Sequence, residues 1–331
     1  MNWSKGYTSA TYVREVDPDT WRDLDRLEIT GGSVNRSEGD LQEAASLDCK
    51  DFGSGEKWVR VWMDTAQEGA AAHVALFTGL ATSPENDING RLSSSPVVCY
   101  SVLKPAADVL LPRGWYAPAG ASGAALIAEL LSVGPAPIET AENSPILSTA
   151  YVAESGETNL TMVRKILAAI DWRIRISGEG VISIEPKPTE PVATFDCLEY
   201  DSIEPELTVS FDWYECPNVF RATRSGVSAV ARDESDGIFS IPSRGREIWA
   251  EEDNVTLNAN ETLQGYAARR LGELQQVTRT AIYDRRYHPD VNVGDLIRLH
   301  YPKQGIDGIY RPTSQDIDLA GGRTSEEADE V

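Results

Sequence analysis

Short runs in which apolar and polar residues alternate fill the first third of the chain. In KWVRVWM (57–63), Val59, Val61 and Met63 fall on one side and Trp58, Arg60 and Trp62 on the other, the period of a half-buried strand. RLEIT (26–30), VALFTGL (74–80) and VVCYSVL (97–103) read the same way, between turns rich in Gly, Ser and Asn. Strands this short and this closely spaced predict an antiparallel barrel or sandwich. The period then changes. GASGAALIAELLS (120–132) carries Leu126, Ile127, Leu130 and Leu131 at helical spacing. ETNLTMVRKILAAI (157–170) repeats this with Leu160, Val163, Leu167 and Ile170, and Thr158 stands where an N-cap belongs. WRIRISGEGVISIEP (172–186) predicts a hairpin: Trp172, Ile174 and Ile176 share a face, SGEG turns the chain, and Ile182 and Ile184 bring it back. PKPTEP (186–191) reads as a linker or extended edge. Strands resume in QQVTRTAIY (275–283), GDLIRLHYP (294–302) and GIYRPTSQDIDL (308–319), preceded by the helix ETLQGYAARRLGEL (261–274) with Leu263, Ala267, Leu271 and Leu274 in register. The last residues, GGRTSEEADEV, are polar and acidic and read as a flexible tail.

DVLLPRGWYAPAG (108–120) obeys neither period. Pro112, Gly114, Pro118 and Gly120 would break a core strand, yet Trp115 and Tyr116 are too large and sticky for a free polar loop. The two prolines narrow the backbone's choices, so one shape is held at lower entropic cost. Trp115 and Tyr116 can then bury large areas, as interface anchors do. Pro112, Arg113, Gly114, Trp115 and Tyr116 are therefore the candidate interface loop, a fixed joint packing against the α+β part or against a neighbouring subunit. A turn packed locally within one subunit is the alternative.

Charge narrows the function. Fifty-two acidic against thirty basic residues leave a formal net charge of −22 in 331 residues. Such a surface repels phosphate backbones and anionic membranes, whose capture needs Lys and Arg. Cys49, Cys99, Cys197 and Cys216 form no CxxC pair, so they read as reduced, mostly buried thiols. MNWSKGYTSAT lacks the apolar core of a signal peptide, and AAAHVALFTGLA (70–81) is too short for a membrane span. The chain is expected to be soluble and to bypass general export.

Catalytic and metal chemistry are not legible. His73, His288 and His300 are far apart in sequence; His288 and His300 could meet across a hairpin, but no third ligand is spaced to join them. DPDTWRDLDRLE (17–28) puts Asp17, Asp19, Asp25 and Glu28 at calcium-loop positions, yet Arg22 stands where the sharp turn wants glycine, so a solvated segment is expected. GASG opens a helix without a P-loop lysine, and no GxSxG, HExxH or GxGxxG occurs. The expectation is no catalytic, cofactor or metal site.

LFTGLATSPENDINGRLSSSPVVCYSVLKPAADVLLPRGWYAPAGASGAALIAELLS resembles the baseplate hub proteins of tailed phages, especially the PBSX-type prophage hubs. TYVREVDPDTW with LEITGGSVNRSEGDLQEAASLD is similar to that family's N-terminal barrel, NSPILSTAYVAESGETNLTMVRKILAAIDWRIRISGEGVISIEP to its α+β insert, and ETLQGYAARRLGEL with YHPDVNVGDLIRLHYPKQGIDGIYRPTSQDIDL to its closing barrel. The resemblance implies a β-rich α+β fold with two tail-tube-like antiparallel β-barrels, at 1–107 and 191–320, a central α+β insert at 108–190 and an acidic flexible tail at 321–331. It implies a structural virion protein at the tail tip, assembled in the host bacterial cytoplasm. Such a homotrimer would adapt the sixfold tail tube to the threefold central spike and line the DNA channel. Its partners would be a tail tube or distal tail protein, the central spike protein, the tape measure protein and passing DNA, without specific binding. Relatives continue into lysin or receptor-binding regions; ending after the second barrel, this chain is expected to lack both activities. The competing readings are a carbohydrate-active β-rich enzyme and the spike hub of a contractile secretion system.

Overall fold

The computed structural model describes residues 1–331 apart from 4, 40, 51, 84–86, 90–91, 199–202, 212, 215, 256, 258–260 and 276–278. Contacts divide the chain into two compact units, Met1–Leu207 with Ile282–Asp329 and Val331, and Thr208–Ala281 with Glu330. The fold is β-rich α+β, as the periodicity predicts.

The first unit opens with β1 (Thr8–Val16), β2 (Asp23–Leu27), β3 (Ile29–Ser37), β4 (Glu43–Cys49), β5 (Glu56–Gln67), β6 (Ala70–Thr82), β7 (Asp87–Asn89) and β8 (Leu92–Ser101). β2, β1, β5, β6, β8, β4 and β3 are neighbours in that order. Val59, Val61 and Met63 are fully buried, and the opposite face is largely buried too: Arg60 and Trp62 are 5% and 8% exposed. From β3 the sheet continues into the end of the chain, through β14 (Ala193–Asp196), β15 (Ile203–Phe211), β19 (Arg279–Arg286), β20 (Ile297–Tyr301), β21 (Ile306–Asp318) and β22 (Arg323–Glu330), with the numbers between belonging to the insert and the second unit. β3 pairs antiparallel with β21, Val34 opposite Ile317, and both side chains join Val13, Leu47 and Phe77 in one core. Strands from both ends of the sequence thus share one sheet. The divisions between the two units fall within β15 and β19.

The tail expected at 321–331 is not loose. Arg323–Glu330 is strand β22, and Thr324, Glu326 and Ala328 alternate inward. Two of these inward residues are polar, which hid the period of two. Glu326 is held there by Arg285 Nη2 at 2.5 Å, Gln315 Nε2 at 2.7 Å and the Tyr283 hydroxyl.

Between β8 and β14 lies the insert: α1 (Lys104–Asp108), β9 (Tyr116–Ala117), α2 (Gly123–Leu131), β10 (Ile138–Thr140), β11 (Tyr151–Val152), α3 (Asn159–Ile170), β12 (Trp172–Ile176) and β13 (Ile182–Pro186). Thr158 caps α3 as predicted, its hydroxyl accepting from the Thr161 amide at 3.2 Å, and Ser122 caps α2. The predicted hairpin is β12–β13, Ile174 opposite Ile184, with β10 added parallel to β13. Ile127, Leu130, Val163, Ile166, Ile174 and Ile184 form the centre of its core.

The hairpin tip is pressed against β6. A Cβ on Gly178 would sit 1.8 Å from the Ala75 carbonyl oxygen. Gly178 O accepts from the Thr78 hydroxyl at 2.7 Å; Glu179 O accepts from Arg60 Nη2 at 3.0 Å and Trp21 Nε1 at 2.9 Å. Asp23 receives the other side of this cluster, from Arg60 Nη1 and Trp62 Nε1, both at 2.7 Å. The acidic run 17–28, expected to be solvated throughout, therefore contributes Trp21 and Asp23 to a packed joint.

The second unit contains β16 (Val219–Arg224), β17 (Val227–Arg232), α4 (Ile241–Arg244), β18 (Trp249–Asp253) and α5 (Leu263–Leu274). β16 lies between antiparallel β17 and parallel β18. Phe220, Ala222 and Ala231 pack with Tyr266, Ala267 and Leu271 of the predicted helix.

Two buried charges in the first unit give measurable consequences. Arg285 and Glu326 have side chains 1% and 0% exposed, so Glu326→Ala leaves a cation without its partner. It should lower unfolding stability by about 3–5 kcal/mol, read as a shifted urea midpoint; a loss below 1 kcal/mol would show that the pair is not what holds β22. Glu43, buried on β4, has its carboxyl pushed up to about 8 from 4.5 by burial, against the lowering pull of Arg36. An acid raised on folding holds its proton more tightly in the native state. Its stabilising contribution is full below pH 4.5 and is lost as pH rises through about 8. Glu43→Gln should remove a slope of about 1.4 kcal/mol per pH unit within that window. Denaturation profiles of variant and parent that stay parallel would contradict it.

Candidate functional site

The candidate loop is hydrogen-bonded along its length to residues 147–159. Leu111 N–H donates to Glu157 O at 2.8 Å, Asn159 N–H to Val109 O at 3.0 Å, and Ala153 N–H to Trp115 O at 2.9 Å. β9 and β11 pair antiparallel, Tyr116 opposite Val152 and Ala117 opposite Tyr151. Gly120 N–H and Leu147 N–H then close the ribbon on Leu147 O and Ala121 O. The turn itself is closed by Trp115 N–H on Pro112 O at 2.9 Å, with Gly114 at a φ of 82°, where a side chain would be strained.

The ribbon separates the two aromatics. Trp115 is half-buried and packs on the insert core beside fully buried Ala117. Tyr116 points outward, 58% exposed, beside Val152 at 58%, while Leu110 on the same ribbon is 62% exposed. Pro112, Arg113 and Gly114 are exposed at the turn. The ribbon thus leaves the apolar side chains of Leu110, Tyr116 and Val152 exposed to solvent. Val152 and Leu110 were missed in the sequence because their pairing with residues 116 and 158 joins segments distant along the chain.

A second exposed aromatic group belongs to the second unit. Trp213 meets Phe239 edge-on at 6.3 Å, and Tyr214, 78% exposed, lies under Arg246 at 5.3 Å. No periodicity marks these residues, which stand between strands.

The histidines are dispersed. His73 lies exposed on β6, stacked on Trp62 at 4.0 Å and 2.6 Å from Asp64; His288 sits against Trp3 and Phe195; His300 is 3.7 Å from Asp307. Among the described residues no group of three or more His, Cys, Asp or Glu is placed to hold a metal ion, and no helix is long and apolar enough to cross a membrane. All four cysteines are free and buried.

No family model and no curated protein sequence matches the chain. Solved structures do. The prophage MuSo2 43 kDa tail protein from Shewanella oneidensis superposes with a TM-score of 0.67 at 13% identity, over 97% of this chain and 98% of its own. A tail protein from Neisseria meningitidis gives 0.66 at 16% identity, over 98% and 96%. The chain has a phage tail-protein fold. A chain of the Francisella PdpA–VgrG complex gives 0.59 at 6% identity, with this chain spanning 58% of that longer one. At such identities the likeness is one of fold, and it runs through both units of the tail-protein fold rather than a shared module.

The split between the two aromatics sets a test of the ribbon. Trp115→Ala should lower the unfolding free energy by about 2 kcal/mol, because it opens a gap on the insert core. Tyr116→Ala should stay within about 0.5 kcal/mol of the parent, as an exposed side chain does. Equal losses in thermal unfolding would mean that both side chains serve the fold and that the outward face is not free.

Proposed function

We propose that the chain is a structural tail protein acting as a baseplate hub: a homotrimer at the virion tail tip that adapts the sixfold tube to the threefold central spike. The observation carrying this reading is whole-chain likeness to prophage tail proteins, with an α+β insert set between the strands of one shared sheet. In this reading residues 1–107 and 191–320 supply tube-like barrels, and the ribbon at 108–120 is a contact with a neighbouring subunit, a tube or distal tail protein, or the spike. Three acidic chains would line the channel with negative charge, so passing DNA finds no cationic holds. The proposed role is non-enzymatic, a reading supported by neighbours that are named as tail proteins.

The likeness to the PdpA–VgrG chain favours a second reading, the spike hub of a contractile secretion system. The particle from which the protein is purified separates the two.

A reconstruction of the isolated particle tip tests the proposal. Three copies between tube and spike are expected, with an acidic lumen. Any other copy number, or a position away from the tip, overturns the hub reading; a lumen lined by Lys and Arg overturns the channel claim alone. Tyr116→Asp should cut incorporation into particles roughly tenfold or more, as loss of an interface anchor does, while leaving the isolated chain folded. Polysaccharide turnover by the purified protein would instead favour the enzyme reading.

A further inference from the structure

Four of the thirty basic residues of this acidic chain, Arg36, Arg164, Arg173 and Arg175, line a single cavity of about 300 Å³ in the first unit. Its walls come from three separate parts of the sequence: the turn between β3 and β4, the end of α3 with β12, and the loop at 292–294. The volume is at the small end of ligand pockets.

Part of this charge is already matched: Arg175 Nη2 lies 3.6 Å from Asp295 Oδ2 and donates to Asp290 O at 3.4 Å, and Arg164 Nη2 donates to Gly39 O at 2.7 Å, but donors on Arg36 and Arg173 are left over. Arg36 is 4% exposed; its Nη2 donates to Leu76 O at 2.6 Å and its Nη1 to Gln315 at 3.4 Å, but its Nε has no hydrogen-bond partner. The carboxylate nearest that nitrogen, Glu43, stands off at 3.8 Å and leaves its own Oε1 unsatisfied. Arg173 gives Nε and Nη2 to Glu185, and Nη2 also lies 2.7 Å from Asp295 Oδ1 without hydrogen-bond alignment; its Nη1 is buried with no partner. Glu38, the other acid of the lining, is paired outward with Arg311 at 3.3 Å. Buried donors on cations are costly to leave unmade, and each is satisfied best by a charged acceptor. With its carboxyl held protonated by burial, Glu43 adds no negative charge near neutral pH and offers an O–H donor instead.

We propose that this cavity is a binding site for a small tetrahedral oxyanion of the phosphate class, held by Arg36 Nε and Arg173 Nη1, two buried donors without partners on residues that line it. An oxyanion with several acceptor oxygens can meet donors arriving from separate elements, which a single carboxylate or a halide cannot do equally well. Binding would tie β3–β4, the insert and the 292–294 loop together, so the ligand would stiffen the seat of the insert. This inference stands independently of the hub reading.

Titration of the purified full chain with inorganic phosphate, followed by calorimetry and by thermal unfolding, tests it. One saturable site per chain is expected, with a thermal midpoint that climbs with phosphate and not with chloride at equal ionic strength. Arg173→Lys keeps the charge but loses the fork, and should weaken binding roughly tenfold to a hundredfold. Arg36→Lys, which removes the Nε donor, should do the same and carries the test if the first variant fails to fold. Heats and midpoints that follow ionic strength alone, stronger binding of acetate than of phosphate, or undiminished phosphate binding in both variants would each overturn the proposal.

Discussion

Two backbone carbonyls set the terms for the first unit. When the β12–β13 hairpin tip is pressed on β6, the oxygens of Gly178 and Glu179 leave water and must find donors inside the protein. Thr78, Arg60 and Trp21 supply them, each from a different strand or turn of the N-terminal sheet. The close approach itself admits no side chain at Gly178, and Gly180, at a φ of 77°, already meets Thr78 and Trp21. Insert and sheet are thus fixed by complementarity of backbone to backbone, which swapping one apolar residue for another cannot reproduce. Arg60 is the pivot: its Nε, Nη1 and Nη2 reach Thr78, Asp23 and Glu179 in turn, a fork that lysine has no means of copying.

The same rule explains what the sequence revealed and what it concealed. Elements whose inner faces are apolar were legible: α3 with Leu160, Val163, Leu167 and Ile170, its Thr158 cap, and the isoleucine ladder of the hairpin all stand where the spacing put them. Elements whose inner faces carry polar groups were not. Arg60 is buried although arginine by its own identity favours the surface, because its guanidinium is occupied by partners up to 119 residues away. β22 read as a loose tail because Thr324 and Glu326 take the inward positions, and the residues that neutralise Glu326 lie on β19 and β21. A charge is predictable at the surface from its own identity, whereas burial depends on partners that a local window does not contain.

The candidate loop was half legible for a related reason. Its prolines, glycines and aromatics suggested a fixed shape, and in the structure backbone hydrogen bonds and a short strand pair join the stretch to residues 147–159. Direction was not encoded. Trp115 and Tyr116 are adjacent, and in an extended pair adjacent side chains face opposite ways, so one had to serve the core and the other had to leave it. Which one goes out is decided by β11, whose Val152 faces Tyr116 across the pair.

Charge then constrains what any contact through this face can be. Several exposed cations are matched locally: Arg269 holds Glu261 and Glu273, Arg298 holds Asp307, Arg323 holds Asp284 and Arg221 holds Glu251. Pairs of this kind contribute little to stability, but they engage the cations. The surplus of acids is left to face outward, and two copies of such a surface repel wherever acids meet. In the proposed trimer, contact between copies would therefore run through patches of low charge. The exposed face of Leu110, Tyr116 and Val152 is such a patch, with Arg113 at its turn, and a backbone already hydrogen-bonded would lose little conformational freedom on contact. In that proposal the acidic surface would oppose indiscriminate association, and the apolar ribbon would leave a narrow way for the specific one.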